Sequence, residues 1–105
     1  MKVLFDQGVP VPLRSHLARH RVATVFEMGW STLQNGDLLA RTEANGFEVF
    51  LTTDRNLKYQ QNLNKRTVAI VVLLSTSWPK IRANADRVAA SVESATPGSY
   101  IEVTF

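Results

Sequence analysis

Asp6 and Asp54 are the side chains of this 105-residue chain best placed to do chemistry. Each follows a short apolar run that reads as a buried strand: Lys2-Val3-Leu4-Phe5 ahead of Asp6, and Val49-Phe50-Leu51 ahead of Thr52-Thr53-Asp54. In open α/β sheets, ligands bind outside the carboxyl ends of the strands. Two carboxylates at two such ends have the layout of a divalent-cation site, because Mg²⁺ takes water and carboxylate oxygens and uses one or two carboxylates. Asp37, at the start of a predicted helix, is the third candidate. Taken alone, an acid there is a cap or a charge favoured by the helix dipole. Asp6 alone could bond loop amides, and Asp54 alone could cap the helix that follows it.

Read together, Asp6, Asp37 and Asp54 are both the metal-ligand and the catalytic candidates. The chemistry would be phosphodiester hydrolysis, with a metal ion polarising a phosphoryl oxygen and activating water. Thr52 and Asn56 alternate with Asp54 on an extended segment and so share its face, in position to orient water or a phosphate oxygen. Arg55, Lys58 and Lys65 could form a basic rim along a nucleic-acid backbone, and Tyr59 could stack on a base. The same residues also read as a plain soluble helix face.

These residues need a scaffold, and the hydrophobic pattern supplies one. Strands are expected at 3–5, 22–26, 47–51, 67–74 and 100–105, the fourth continuously apolar as a strand covered on both faces should be. Between them lie predicted helices at 12–20, 35–44, 57–64 and from Ser77-Trp78-Pro79 up to Thr96-Pro97-Gly98, the last carrying Ile81, Ala85, Val88, Ala89 and Val92 at helical spacing. Ser77 or Thr76 is the expected cap, and Asn45-Gly46 and Thr96-Pro97-Gly98 are the expected stops. Strands alternating with helices predict a three-layer α/β/α, Rossmann-like domain with a mainly parallel sheet of about five strands, spanning residues 1–105. A strand order beginning 2-1-3-4 would put Asp6 and Asp54 on one crevice at the switch point.

Composition narrows the functional classes. The chain has no cysteine, which removes disulfides and thiolate chemistry. The net charge of +3 is a mild excess of base that would favour nucleic acid or an acidic partner. The longest apolar run, Val68 to Leu74, is far shorter than a membrane span of about 20 residues, and the N-terminus lacks signal-peptide anatomy, so a cytoplasmic location without membrane attachment is expected. There is no nucleophile elbow and no glycine-rich phosphate loop. His16 and His20 stand four apart but read as solvated helix residues. Trp78 reads as core, while Trp30 reads equally as core or partner surface. Glu27 could serve as a substitute metal ligand but reads better as a solvated loop acid.

The blocks Asp6-Gln7-Gly8-Val9-Pro10, Val25-Phe26-Glu27-Met28-Gly29-Trp30, Asn35-Gly36-Asp37-Leu38-Leu39 and Thr52-Thr53-Asp54-Arg55-Asn56-Leu57 resemble, in order, the small bacterial PIN-like family associated with toxin–antitoxin operons. The resemblance covers about residues 2 to 74 closely. It implies a Mg²⁺- or Mn²⁺-dependent ribonuclease, with the first-strand acid at Asp6, the helix-start acid at Asp37 and the Thr-x-Asp acid at Asp54. It also implies RNA as substrate and a small antitoxin as partner, and a homodimer is a further expectation. The chain departs from the family pattern at Asn56, where an Asp is usual; the usual polar residue after the first acid is Gln7. The loss of charge at Asn56 favours a second reading, a catalytically weak module that engages an antitoxin or RNA without cutting. A third is an interaction protein that uses no metal.

Overall fold

The structure, a computed structural model, describes residues 1–105. The order is β1 (Lys2–Phe5), a 3₁₀ helix (Val11–Leu17), β2 (Arg21–Thr24), α1 (Asn35–Ala44), β3 (Val49–Thr52), α2 (Leu57–Gln60), a 3₁₀ turn (Leu63–Lys65), β4 (Ala69–Leu73), α3 (Trp78–Ala83), α4 (Ala85–Ser94) and β5 (Tyr100–Val103). The strands form one sheet in the order β2-β1-β3-β4-β5, and every neighbouring pair is parallel. The three-layer α/β architecture follows from a strand's period of two. Val3, Phe5, Val49, Leu51, Ala69, Val71 and Leu73 face one side and pack on Leu13, Leu17, Ile81, Ala85, Val88 and Val92. Leu4, Phe50, Ile70 and Val72 face the other and pack on Trp30, Leu38, Leu39 and Leu57.

Several connections differ from the pattern-based expectation. The first helix is a 3₁₀ segment, not an α-helix over 12–20. Pro10 and Pro12 remove two backbone donors from its start, and the segment closes with Leu13 N–H donating to the Pro10 carbonyl at 3.1 Å. Leu13 and Leu17 remain buried, so its apolar stripe survives the change of pitch. The two histidines do not behave alike on it. His16 is exposed, beside the Trp78 ring at 6.0 Å. The His20 ring is buried, contrary to the solvated reading, and its Nδ1 accepts from the Met1 amine at 3.1 Å.

Strand β2 stops at Thr24 because Val25 to Gly29 curl into turns, leaving Phe26 exposed. The expected helix at 57–64 stops at Gln60, since Gln61 is extended and Asn62 caps a separate 3₁₀ turn by accepting from the Asn64 amide at 3.1 Å. The last helix breaks at Asn84, whose Nδ2 donates to the Lys80 carbonyl at 2.9 Å. Ser77 caps α3, as its position ahead of Pro79 suggests. Trp30 is core, set edge-on to Phe47 at 6.1 Å, and Trp78 packs half-buried on the other side of the sheet.

Glu43 ties the end of α1 to the start of β4. Its carboxylate accepts from Arg66 Nη1 at 2.9 Å, from the Thr67 and Val68 amides at 2.5 and 3.2 Å, and from the Thr67 hydroxyl at 3.0 Å. Burial alone would raise its pKa, but the donors from Thr67, Arg66 and Val68 outweigh it and hold the group below its ordinary 4.5. A depressed carboxylate stabilises the fold above its unfolded pKa and loses that contribution as pH falls through the folded value. The fall in thermal midpoint on acidification below about pH 4.5 should therefore be shallower in Glu43→Gln than in the parent chain. Calorimetry across that range checks it.

Candidate functional site

The register of β1 and β3 builds the site. Phe5 pairs with Leu51, and the ladder runs one step further, with the Asp6 amide donating to the Leu51 carbonyl at 2.9 Å. Asp6 and Thr52 therefore stand side by side at the carboxyl end of the sheet, on the same face. Thr52 is fully buried, and its hydroxyl joins the two candidate acids. It donates to Asp6 Oδ2 at 2.7 Å and accepts from the Asp54 amide at 3.1 Å. The other Asp6 oxygen, Oδ1, accepts from the Gln7 amide at 2.9 Å. Asp54 Oδ1 accepts from the Asn56 amide at 2.9 Å, closing a turn two residues long.

Gly8 completes this corner. A side-chain carbon there would collide with Thr53 Oγ1 as it stands, so the loop after Asp6 lies closely against the end of β3. Asp6 and Asp54 thus flank Thr52 at the carboxyl end of the sheet, where the strand order reverses. Their oxygens are hard donors, and the number of carboxylates suits Mg²⁺ or Mn²⁺ completed by water.

Asp37 is not brought to this corner. Leu38, Leu39 and Thr42 form the buried face of α1, which leaves Asp37, Ala40, Arg41 and Ala44 on the opposite stripe. With Leu33 they line a shallow surface hollow. No three acids or histidines of the chain gather into a group able to hold a metal ion. Asp37 also does not cap its helix, whose N-cap is Gln34, so it acts there as a charge near the positive end of the dipole. Asn56 does not share an extended face with Asp54. The chain turns at Arg55 and Asn56, and what Asn56 offers Asp54 is its backbone N–H.

The basic rim is only partly free. Arg55 Nη2 donates to the Leu74 carbonyl at 2.6 Å, tying the site loop to the end of β4. Lys58 Nζ pairs with Glu102 Oε2 at 3.0 Å, and that bond raises its pKa. Lys65 is exposed on its 3₁₀ turn. Tyr100, whose hydroxyl also donates to Glu102 Oε2 at 2.9 Å, has its pKa raised first by burial and then by Glu102.

Glu27 is held rather than free. Its carboxylate takes both Arg14 guanidinium nitrogens, at 3.1 and 2.5 Å, and the Thr24 amide at 2.9 Å. The Arg14 bond and then the Thr24 amide hold its carboxyl below the usual range. Arg14 is half-buried in this pair, and its Nε has no partner. Thr52 carries more than its sequence position suggests, because its part as the bridge depends on a strand register that no local pattern states.

The chain shows no significant match to any protein-family model, curated protein or solved structure. No helix is long and apolar enough to cross a membrane.

Thr52→Val keeps the shape and removes the shared hydroxyl. The Asp54 amide and one Asp6 oxygen would then lose a partner at a buried position, which costs about 1–3 kcal/mol. Urea unfolding should show that loss with an unchanged slope.

Proposed function

We propose that the chain is a PIN-like, Mg²⁺- or Mn²⁺-dependent ribonuclease whose ion is held by Asp6 and Asp54. The observation that carries the reading is the Asp6–Thr52–Asp54 bridge at the switch point of a parallel sheet, where such folds bind their ligands. A divalent cation supplies charge neutralisation at a phosphoryl group and acidifies water. The chain's own part is to hold two carboxylates still. Thr52 and the Gln7 amide fix both oxygens of Asp6, and the Asn56 amide fixes one oxygen of Asp54. Lys65, and Arg55 once it leaves the Leu74 carbonyl, are the cations for the RNA backbone. Lys58 is withdrawn from that role by Glu102. A toxin-type role with a small antitoxin partner belongs to the same reading and rests on the resemblance of the sequence blocks.

One observation favours a second reading, in which the module engages RNA or an antitoxin without cutting. Asp37 lies on the outward stripe of α1 and Asn56 carries no charge, so only Asp6 and Asp54 adjoin Thr52 where the family pattern implies more acids.

Titration with Mn²⁺, followed by thermal unfolding, tests the ion site. Saturable stabilisation should rise as RT ln(1 + [L]/Kd). It should vanish in Asp6→Asn and Asp54→Asn and persist in Asp37→Asn. Cleavage of single-stranded RNA lost in the same two variants selects the ribonuclease. Stabilisation and RNA binding without cleavage select the second reading, and no stabilisation in the parent chain overturns both.

A further inference from the structure

Five residues beyond Asp54, Tyr59 projects its ring into solvent with 77% of its surface exposed. It does so from α2, a helix of four residues with no cooperative stability of its own. Tertiary ties hold that helix instead. Leu57 is buried in the core under it. Lys58 is bound to Glu102 of β5, and Gln60 Oε1 accepts from Asn35 Nδ2 of α1 at 3.1 Å. The Lys58 ammonium stands over two rings at once, 5.2 Å from the centroid of Tyr59 and 5.7 Å from that of Tyr100. The cation that the sequence offers as a phosphate contact is thus paired with Glu102 at the surface, beside both rings.

We infer that Tyr59 is a stacking platform for one unpaired base of a single-stranded RNA whose backbone passes Asp54, with Lys58 as the positioning residue for its ring. This rests on the ribonucleic-acid reading of the site and adds to it a base contact made by a named side chain. A flat, exposed ring on a fixed support accepts any base face, and stacking of this kind is tolerant of sequence. Bases inside a duplex are already stacked on one another and do not reach such a ring without unpairing. Lys58, neutralised by Glu102, contributes no phosphate contact in this arrangement, whereas Lys65 is placed to make one.

The test is fluorescence anisotropy with an end-labelled oligouridine strand and an RNA duplex of equal length, each measured with Mn²⁺ and with EDTA. The parent chain should prefer the strand. Tyr59→Ala should weaken strand binding by about 5- to 100-fold and leave duplex binding unchanged, and Tyr59→Trp should restore it. Lys58→Ala should weaken strand binding while keeping its salt dependence, and Lys65→Ala should lower that dependence by about one phosphate contact. Matching urea midpoints establish that the variants fold. The inference is overturned if Tyr59→Ala binds the strand like the parent, if strand and duplex weaken alike, or if Tyr59→Trp gives no rescue. A chain that Mn²⁺ stabilises but that binds no RNA overturns the inference and leaves the ion site standing. A chain that does neither removes both.

Discussion

The register between β1 and β3 is the constraint on which the candidate site depends. Pairing Phe5 with Leu51 puts Asp6 beside Thr52, and the shared hydroxyl then couples the loop after β1 to the loop after β3. A slip of one residue would turn Thr52 to the opposite face and break the bridge. It would also move Leu4 and Phe50 out of one apolar layer and Phe5 and Leu51 out of the other. The core and the site are therefore held by the same alignment, and the cost of emptying either layer protects the geometry of the site.

Around that bridge, the protein uses its charged groups mostly for its own loops. Glu43 gathers Arg66, Thr67 and Val68 at the opposite end of the sheet. Glu27 takes Arg14, Arg55 reaches the Leu74 carbonyl, and Lys58 takes Glu102. Connections this short have little hydrophobic area to anchor them, and charge-assisted bonds of fixed direction do that work instead. Asp6 and Asp54 stand apart from this pattern, because backbone amides and a hydroxyl hold them and no cation neutralises either one.

The layering of the fold was legible because its signals are local. Runs such as Ala69-Ile-Val-Val-Leu73 and the stripe Ile81, Ala85, Val88 and Val92 state their periods within a few residues. Element ends were less legible. Two prolines tightened the first helix to 3₁₀ pitch, and Asn84 broke the last one while its buried stripe continued. At the site, Asp6 and Asp54 were readable as strand-end acids, and Asp37 was readable only as a helix-start acid. Which way α1 turns that acid depends on Leu38, Leu39 and Thr42 seating on the sheet, and their seating places Asp37 on the outer stripe.

By itself, the order of residues determined the alternation of strands and helices, the two apolar layers and the position of two acids at strand ends. Each of these follows from short-range periodicity and from the chirality of parallel crossovers. Only the tertiary structure decided that a buried threonine joins those acids, that the third acid faces away, and that Lys58 serves Glu102 and two tyrosine rings. Those outcomes are pairings between residues as far apart as Asp6 and Thr52 or Lys58 and Glu102. Strand register and the docking of short helices select them, and no stretch of sequence carries that information alone.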